Sequence, residues 1–128
     1  EVRADLDAPP VVADPIALRR ILDNLLRNAR EALPAGGGAI TVTVARRDDP
    51  DLGPRCVLAV RDQGAGMTAE VAARIGEDFF TTKPGGTGLG LSNVRRLAGD
   101  AGGRLQVDSA PGRGTTVTIT FPAAEADA

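Results

Sequence analysis

The chain contains no histidine, no tryptophan and no tyrosine. Without histidine, no imidazole can ligate a metal or act as a general base anywhere in its 128 residues. The aromatic inventory is three phenylalanines, Phe79, Phe80 and Phe121, so a core has to be assembled from Leu, Ile, Val and Ala. The one cysteine, Cys56, cannot close an internal disulfide, and its place in an apolar run fits a buried thiol better than a reactive one. No apolar stretch approaches the roughly 18 residues of a membrane-spanning helix, and no signal-peptide pattern is visible. Excess charge is scarce as well: a formal net charge of -2 gives no electrostatic case for binding nucleic acid or another polyanion. The chain opens on Glu1 rather than Met, which reads as a fragment of a longer protein.

What is present suits one domain, long enough to bury a real core. Val2-Arg3-Ala4-Asp5-Leu6-Asp7 alternates apolar and polar, as a half-buried strand does. Asp14-Pro15 starts a helix, since aspartate caps and proline is pre-set for the first helical position. From there Ile16, Leu18, Ile21, Leu22, Leu25, Leu26, Ala29, Ala32 and Leu33 recur at helical spacing until Pro34 and the glycines at 36–38. Ile40–Val44 and Cys56–Val60 predict an antiparallel hairpin, the second strand apolar enough to be central, joined by a polar turn over Arg46–Pro54. A short helix over Thr68–Ile75 is capped by Thr68. Gly76–Gly88 reads as an irregular loop of functional length. A second long helix runs from Leu89 to about Ala98. Arg104–Ser109 and Thr116–Phe121 form another hairpin around Pro111–Gly114, and Ala123–Ala128 reads as a disordered acidic tail. Strand pairs adjacent in sequence, rather than repeated βαβ units, predict a two-layer α/β sandwich: a mostly antiparallel sheet covered on one face by helices.

Three polar features interrupt this frame. Gly85, Gly86, Gly88 and Gly90 crowd the entry to the second long helix, one lysine upstream at Lys83. Glycines let backbone N–H groups approach a ligand, and a helix start adds unpaired donors, which together can cradle phosphate. The spacing matches neither the Walker pattern nor Gly-x-Gly-x-x-Gly, so a plain flexible loop stands as the other reading. Asn24 and Asn28, four apart, share a face beside a leucine-rich stripe, with Arg20, Arg27 and Glu31 nearby. Their amide oxygens suit a Mg²⁺ ion already held by phosphates, or else simply face solvent. Asp62, followed by Gly64 and Gly66, ends the central strand. Its carboxylate can accept from the exocyclic amine of adenine, or it can make an Asx turn.

Taken in order, Asn-x-x-x-Asn-Ala-x-x-Ala at Asn24, Asn28, Ala29 and Ala32, Asp-x-Gly-x-Gly at Asp62, Gly64 and Gly66, and Gly-x-Gly-x-Gly at Gly86, Gly88 and Gly90 resemble the catalytic, ATP-binding domain of sensor histidine kinases. This is the GHKL fold shared with gyrase, the heat-shock chaperone ATPases and the mismatch-repair ATPases. The resemblance runs from Val2 to Pro122.

It implies ATP and Mg²⁺ as ligands. Asn28 is implied as the Mg²⁺ ligand, Asn24 as support for ion or phosphate, and Arg27 as a basic residue facing phosphate. Asp62 is implied as the adenine N6 partner, with Gly64, Gly66 and Met67 around the base. Gly86, Thr87, Gly88, Leu89, Gly90 and Leu91 correspond to the glycine box along the phosphates, and Thr82 and Lys83 to a lid segment whose lysine meets the γ-phosphate. The family's Phe-x-Pro-Phe box is altered: Gly76-Glu77-Asp78-Phe79 keeps only Phe79 and its neighbour Phe80. A glycine in place of an anchoring aromatic removes about 2–3 kcal/mol of possible burial, which implies a more mobile lid.

Gyrase-like and chaperone-like members carry a water-activating glutamate one turn before the metal asparagine. This chain has Asn24 there, and an amide is no general base at neutral pH. The resemblance therefore implies phosphoryl transfer to a histidine outside this chain, on a dimerisation domain of the parent protein, with a response regulator next in line. The domain itself is expected to be cytoplasmic and monomeric, without nucleic-acid or membrane contact. The alternatives are a nucleotide-sensing or partner-docking module without transfer, and an anti-sigma-type serine kinase.

Overall fold

Helix α1, Pro15–Ala32, turns Ile21, Leu25 and Ala29 inward at four-residue intervals, the spacing that aligns side chains on one face. They meet the inward-facing residues of the sheet. In the computed structural model, which describes residues 2–5, 15–33, 37–74 and 90–122, that sheet has five strands. They are β1 (Val2–Asp5), β2 (Ile40–Asp49), β3 (Gly53–Asp62), β4 (Arg104–Ser109) and β5 (Thr115–Pro122), in the spatial order β1-β2-β3-β5-β4. Only the β1–β2 pair is parallel; the other three are antiparallel. Helix α2 spans Ala69–Arg74 and α3 spans Gly90–Asp100.

The core lies between α1, α3 and one face of the sheet. Ile40 and Val42 from β2, Cys56, Leu58 and Val60 from β3, and Val117, Ile119 and Phe121 from β5 alternate toward it, as a period-2 strand requires. Leu91, Val94 and Ala98 complete it from α3. Phe121 is the largest fully buried side chain among the described residues. The expected α/β sandwich is the fold observed.

Two boundaries differ from the sequence reading. The predicted polar turn over 46–54 is for the most part strand: β2 and β3 stay paired out to Asp49 and Gly53. A ladder needs only backbone donors and acceptors, and the Asp49 carboxylate closes the tip by accepting the amides of Asp51 and Leu52 at 2.8 and 2.9 Å. The side chains of residues 45–48 are polar or small because this arm projects past the helices into solvent. At the other end of the chain, α3 runs to Asp100 and stops in a Schellman motif. Gly103 N–H reaches Ala98 O at 2.7 Å, Gly102 N–H reaches Gly99 O at 3.0 Å, and Gly102 takes the left-handed φ of 77°. The α2 start is as expected, with Thr68 Oγ1 accepting the Val71 amide at 3.3 Å.

Candidate functional site

Between α1 and α3 lies a cleft of about 380 Å³. Arg20, Asp23, Asn24 and Arg27 line it from α1, and Asn93, Arg96 and Leu97 from α3. Positions 20, 24 and 27 fall on one side of a helix, so their convergence follows from the 3.6-residue period. Three guanidinium groups stand against one carboxylate. That carboxylate, on Asp23, already lies 3.9 Å from Arg19 Nε in an exposed, weak pair. In a chain of net charge -2, the cleft is thus a local concentration of positive charge and amide groups. Its chemistry suits an anion.

Asn28 sits one turn beyond Asn24, half-buried on α1, and the helix continues to Ala32. There it meets the turn that follows β3. A Cβ on Gly64 would run into the Ala32 carbonyl, its carbonyl carbon only 2.8 Å away. Helix α1 therefore links the cleft to that turn, with about 12 Å of rise between Asn24 and Ala32.

At the turn, Asp62 is 6% exposed as a residue and its Oδ1 accepts the Gly64 amide at 2.8 Å. Burial pushes its pKa up, while backbone hydrogen bonds from Gly64 and Thr115 pull in the opposite direction. The Asx turn that the sequence allowed is present, built around a carboxylate held largely out of water. Gly66, with φ 74°, lies where a Cβ would strike the Ala110 carbonyl. Both glycines thus have a packing reason independent of any ligand.

Of the residues singled out from sequence, Asn24 and Arg27 come together in the cleft, and Asp62, Gly64, Gly66 and Met67 form the turn. Gly90 is the first residue of α3. Leu91 points into the core, 7% exposed, so its side chain serves packing. Thr82, Lys83, Gly86, Thr87, Gly88 and Leu89, together with the altered phenylalanine box and its lid, lie outside the described residues. Sequence reading missed Asn93 and Arg96, although their i, i+3 spacing just past the glycine run was a usable signal. Among the described residues no three His, Cys, Asp or Glu side chains cluster as a metal cage, and no helix is long and apolar enough to cross a membrane.

The chain matches the model of the family described as histidine kinase-, DNA gyrase B- and HSP90-like ATPases over residues 13–125. It is 38% identical over 116 residues to sporulation kinase E of Bacillus subtilis, a match covering 91% of this chain and 15% of that protein. Among solved structures it is similar to full-length ShkA in complex with AMPPNP, with a TM-score of 0.84 and 32% identity, covering all of this chain and 26% of that one. A mycobacterial sensor histidine kinase, MprB, aligns with a TM-score of 0.79 and 30% identity over 95% of this chain and 82% of that one. The chain thus spans a small part of the full-length kinases and most of the MprB chain.

Proposed function

The chain belongs to the family of histidine kinase-, DNA gyrase B- and HSP90-like ATPases, as a catalytic domain of the sensor-histidine-kinase type, and from that membership we propose that it presents Mg²⁺·ATP to a histidine carried by another domain of its parent protein. The observation that carries this reading is the course of α1. One helix bears the basic, amide-lined cleft along its length and ends against the buried Asp62 turn. A ligand with an anionic end and a hydrogen-bonding base fits that separation.

The parts divide by chemistry. Asp62, with its carboxylate desolvated, is a strong acceptor for the exocyclic N6 amine of adenine, whereas guanine would set a carbonyl oxygen against it. Arg27 and Arg20 supply fixed positive charge to a phosphate chain. Asn24 and Asn28 offer neutral oxygens, which suits a cation whose charge is already balanced by phosphates. Mg²⁺, when bound, neutralises charge on the transferred group. None of these side chains needs to take or give a proton, since a histidine acceptor brings its own nucleophilic nitrogen. What the domain contributes is position and electrostatics. Lys83 is assigned to the γ-phosphate on sequence position alone. The domain is assigned to the cytoplasm, where ATP is available, with a response regulator as the next phosphate acceptor.

Incubating this chain with labelled Mg²⁺·ATP and the dimerisation segment of its parent tests the reading. The expected product is an acid-labile, base-stable phosphoryl group on that segment. ATP binding without such a product would leave a nucleotide-sensing module as the better description.

A further inference from the structure

The corner where β4 meets β5 grips the turn after β3. Met67 N–H donates to Ser109 Oγ at 2.8 Å, and the Ser109 hydroxyl donates to the Gly114 carbonyl at 2.9 Å. Thr115 Oγ1 lies 2.8 Å from Ser109 Oγ. Because the single Ser109 hydroxyl proton is directed at Gly114, Thr115 is the donor in that third contact. A hydroxyl has one donor and two acceptor sites, so Ser109 is fully used. Beside it, Gly112 N–H donates to Ala65 O at 2.7 Å.

The two ends of the Asp62–Met67 turn are held differently. Asp62 is still in the sheet, opposite Thr115 in the β3–β5 register. Met67 has left the ladder, and what holds its amide is a side chain 42 residues away in sequence. The path and tilt of the backbone between them are therefore set at one end by the sheet, midway by the Gly112 bond to Ala65, and at the far end by Ser109.

We propose that Ser109 is a positioning residue for recognition of the purine base: it fixes the far end of the Asp62–Met67 turn so that the Asp62 carboxylate and the turn backbone meet the ring together. The inference rests on the reading of Asp62 as the base partner. With the hydroxyl removed, Asp62 stays in its strand while the Met67 end loses its anchor. Base recognition then suffers more than the fold, because two of the three former partners, the Met67 amide and the Thr115 hydroxyl, are only partly buried and can turn to water.

The test is calorimetric titration of the 128-residue chain with Mg²⁺·ATP and Mg²⁺·GTP, comparing wild type, D62N, S109A and S109T, with a melting curve for each. The expected result is wild-type preference for ATP and an S109A protein that binds ATP about tenfold more weakly, the loss of roughly one hydrogen bond, with GTP affinity unchanged. Ser109→Thr keeps the hydroxyl and restores the ATP preference. An S109A protein with the wild-type ATP-to-GTP ratio would overturn the proposal, as would an equal loss for both nucleotides or no rescue by threonine. D62N keeps the two ideas apart. If D62N loses ATP preference while S109A retains it, only the role of Ser109 fails; if D62N binds ATP like wild type, the base-partner reading fails and takes this proposal with it.

Discussion

The Asp62 carboxylate binds the amide of Gly64, two residues on, at 2.8 Å while being almost closed off from water. One side chain thereby shapes the turn and holds the acceptor that we assign to adenine. Substitutions separate the two roles. Asp62→Asn keeps an oxygen for Gly64 and should leave the circular dichroism spectrum unchanged while weakening ATP at least about tenfold, as expected for a charge-assisted bond. Asp62→Ala strands a buried N–H and should lose a further 1–3 kcal/mol or so of stability in urea unfolding.

The raised pKa of Asp62 gives a pH signature. For a carboxyl whose folded pKa lies above its unfolded value, the native state holds more protons over the window between them. Stability therefore falls as pH rises from about 3.8, the ordinary aspartate value, through the folded pKa, and the cost persists above it. ATP affinity should move the other way, growing across the same window as the carboxylate ionises. Urea midpoints and ATP titrations between pH 4 and 7 check both slopes, each of which should flatten in Asp62→Asn.

Asn28→Ala should remove the Mg²⁺ dependence of ATP binding, and Arg27→Ala should weaken ATP more than AMP. Neither should alter the preference for adenine, which is read at the Asp62 turn, a little over one turn of helix beyond Asn28 where Ala32 meets Gly64. Titrations with and without Mg²⁺, across AMP, ADP and ATP, make the comparison. A change in ATP-to-GTP ratio in either variant would contradict the division of labour along α1.

Gly114 has φ 74° and a site where a Cβ would collide with the Asp62 carbonyl. Gly114→Ala should therefore cost at least about 1–3 kcal/mol, from the backbone conformation together with the displaced strand end. It should also weaken ATP, because Gly114 O accepts from Ser109. Gly112→Ala shares the left-handed φ of 76°, but no atom lies within 4 Å of its Cβ, so it should be the milder of the two in urea unfolding.

Cys56 is 1% exposed, and desolvation raises its thiol pKa. In the native protein at pH 8 it should resist a disulfide reagent, and it should react at once in urea. Rapid modification of the folded chain would mean that β3 opens locally beside Phe121, its register partner on β5.

The regular elements were legible because their patterns are local. The Ile21, Leu25, Ala29 spacing of α1 and the alternation of Thr116–Phe121 state their own periods, and the structure repeats them. The long β2–β3 arm was not legible: Arg46, Arg47, Asp48 and Asp49 read as a polar turn, but paired backbones tolerate polar side chains wherever both faces meet water. The asparagines and Asp62 stood out as polar residues in apolar settings. Ser109 and Asn93 did not, since serine and asparagine are unremarkable in a strand end or a helix.

By itself the sequence determined the fold class, the central place of the Cys56–Val60 strand, and the order of polar motifs on helix, strand end and glycine run, because each depends on neighbours within about a turn of helix or a few strand residues. Only the tertiary structure decided that α3 contributes Asn93 and Arg96 to the α1 cleft, that Ala32 closes on Gly64, and that Ser109 holds Met67. Those relationships depend on how separate elements pack. Packing is settled by the burial of the whole core, which no short stretch of sequence contains.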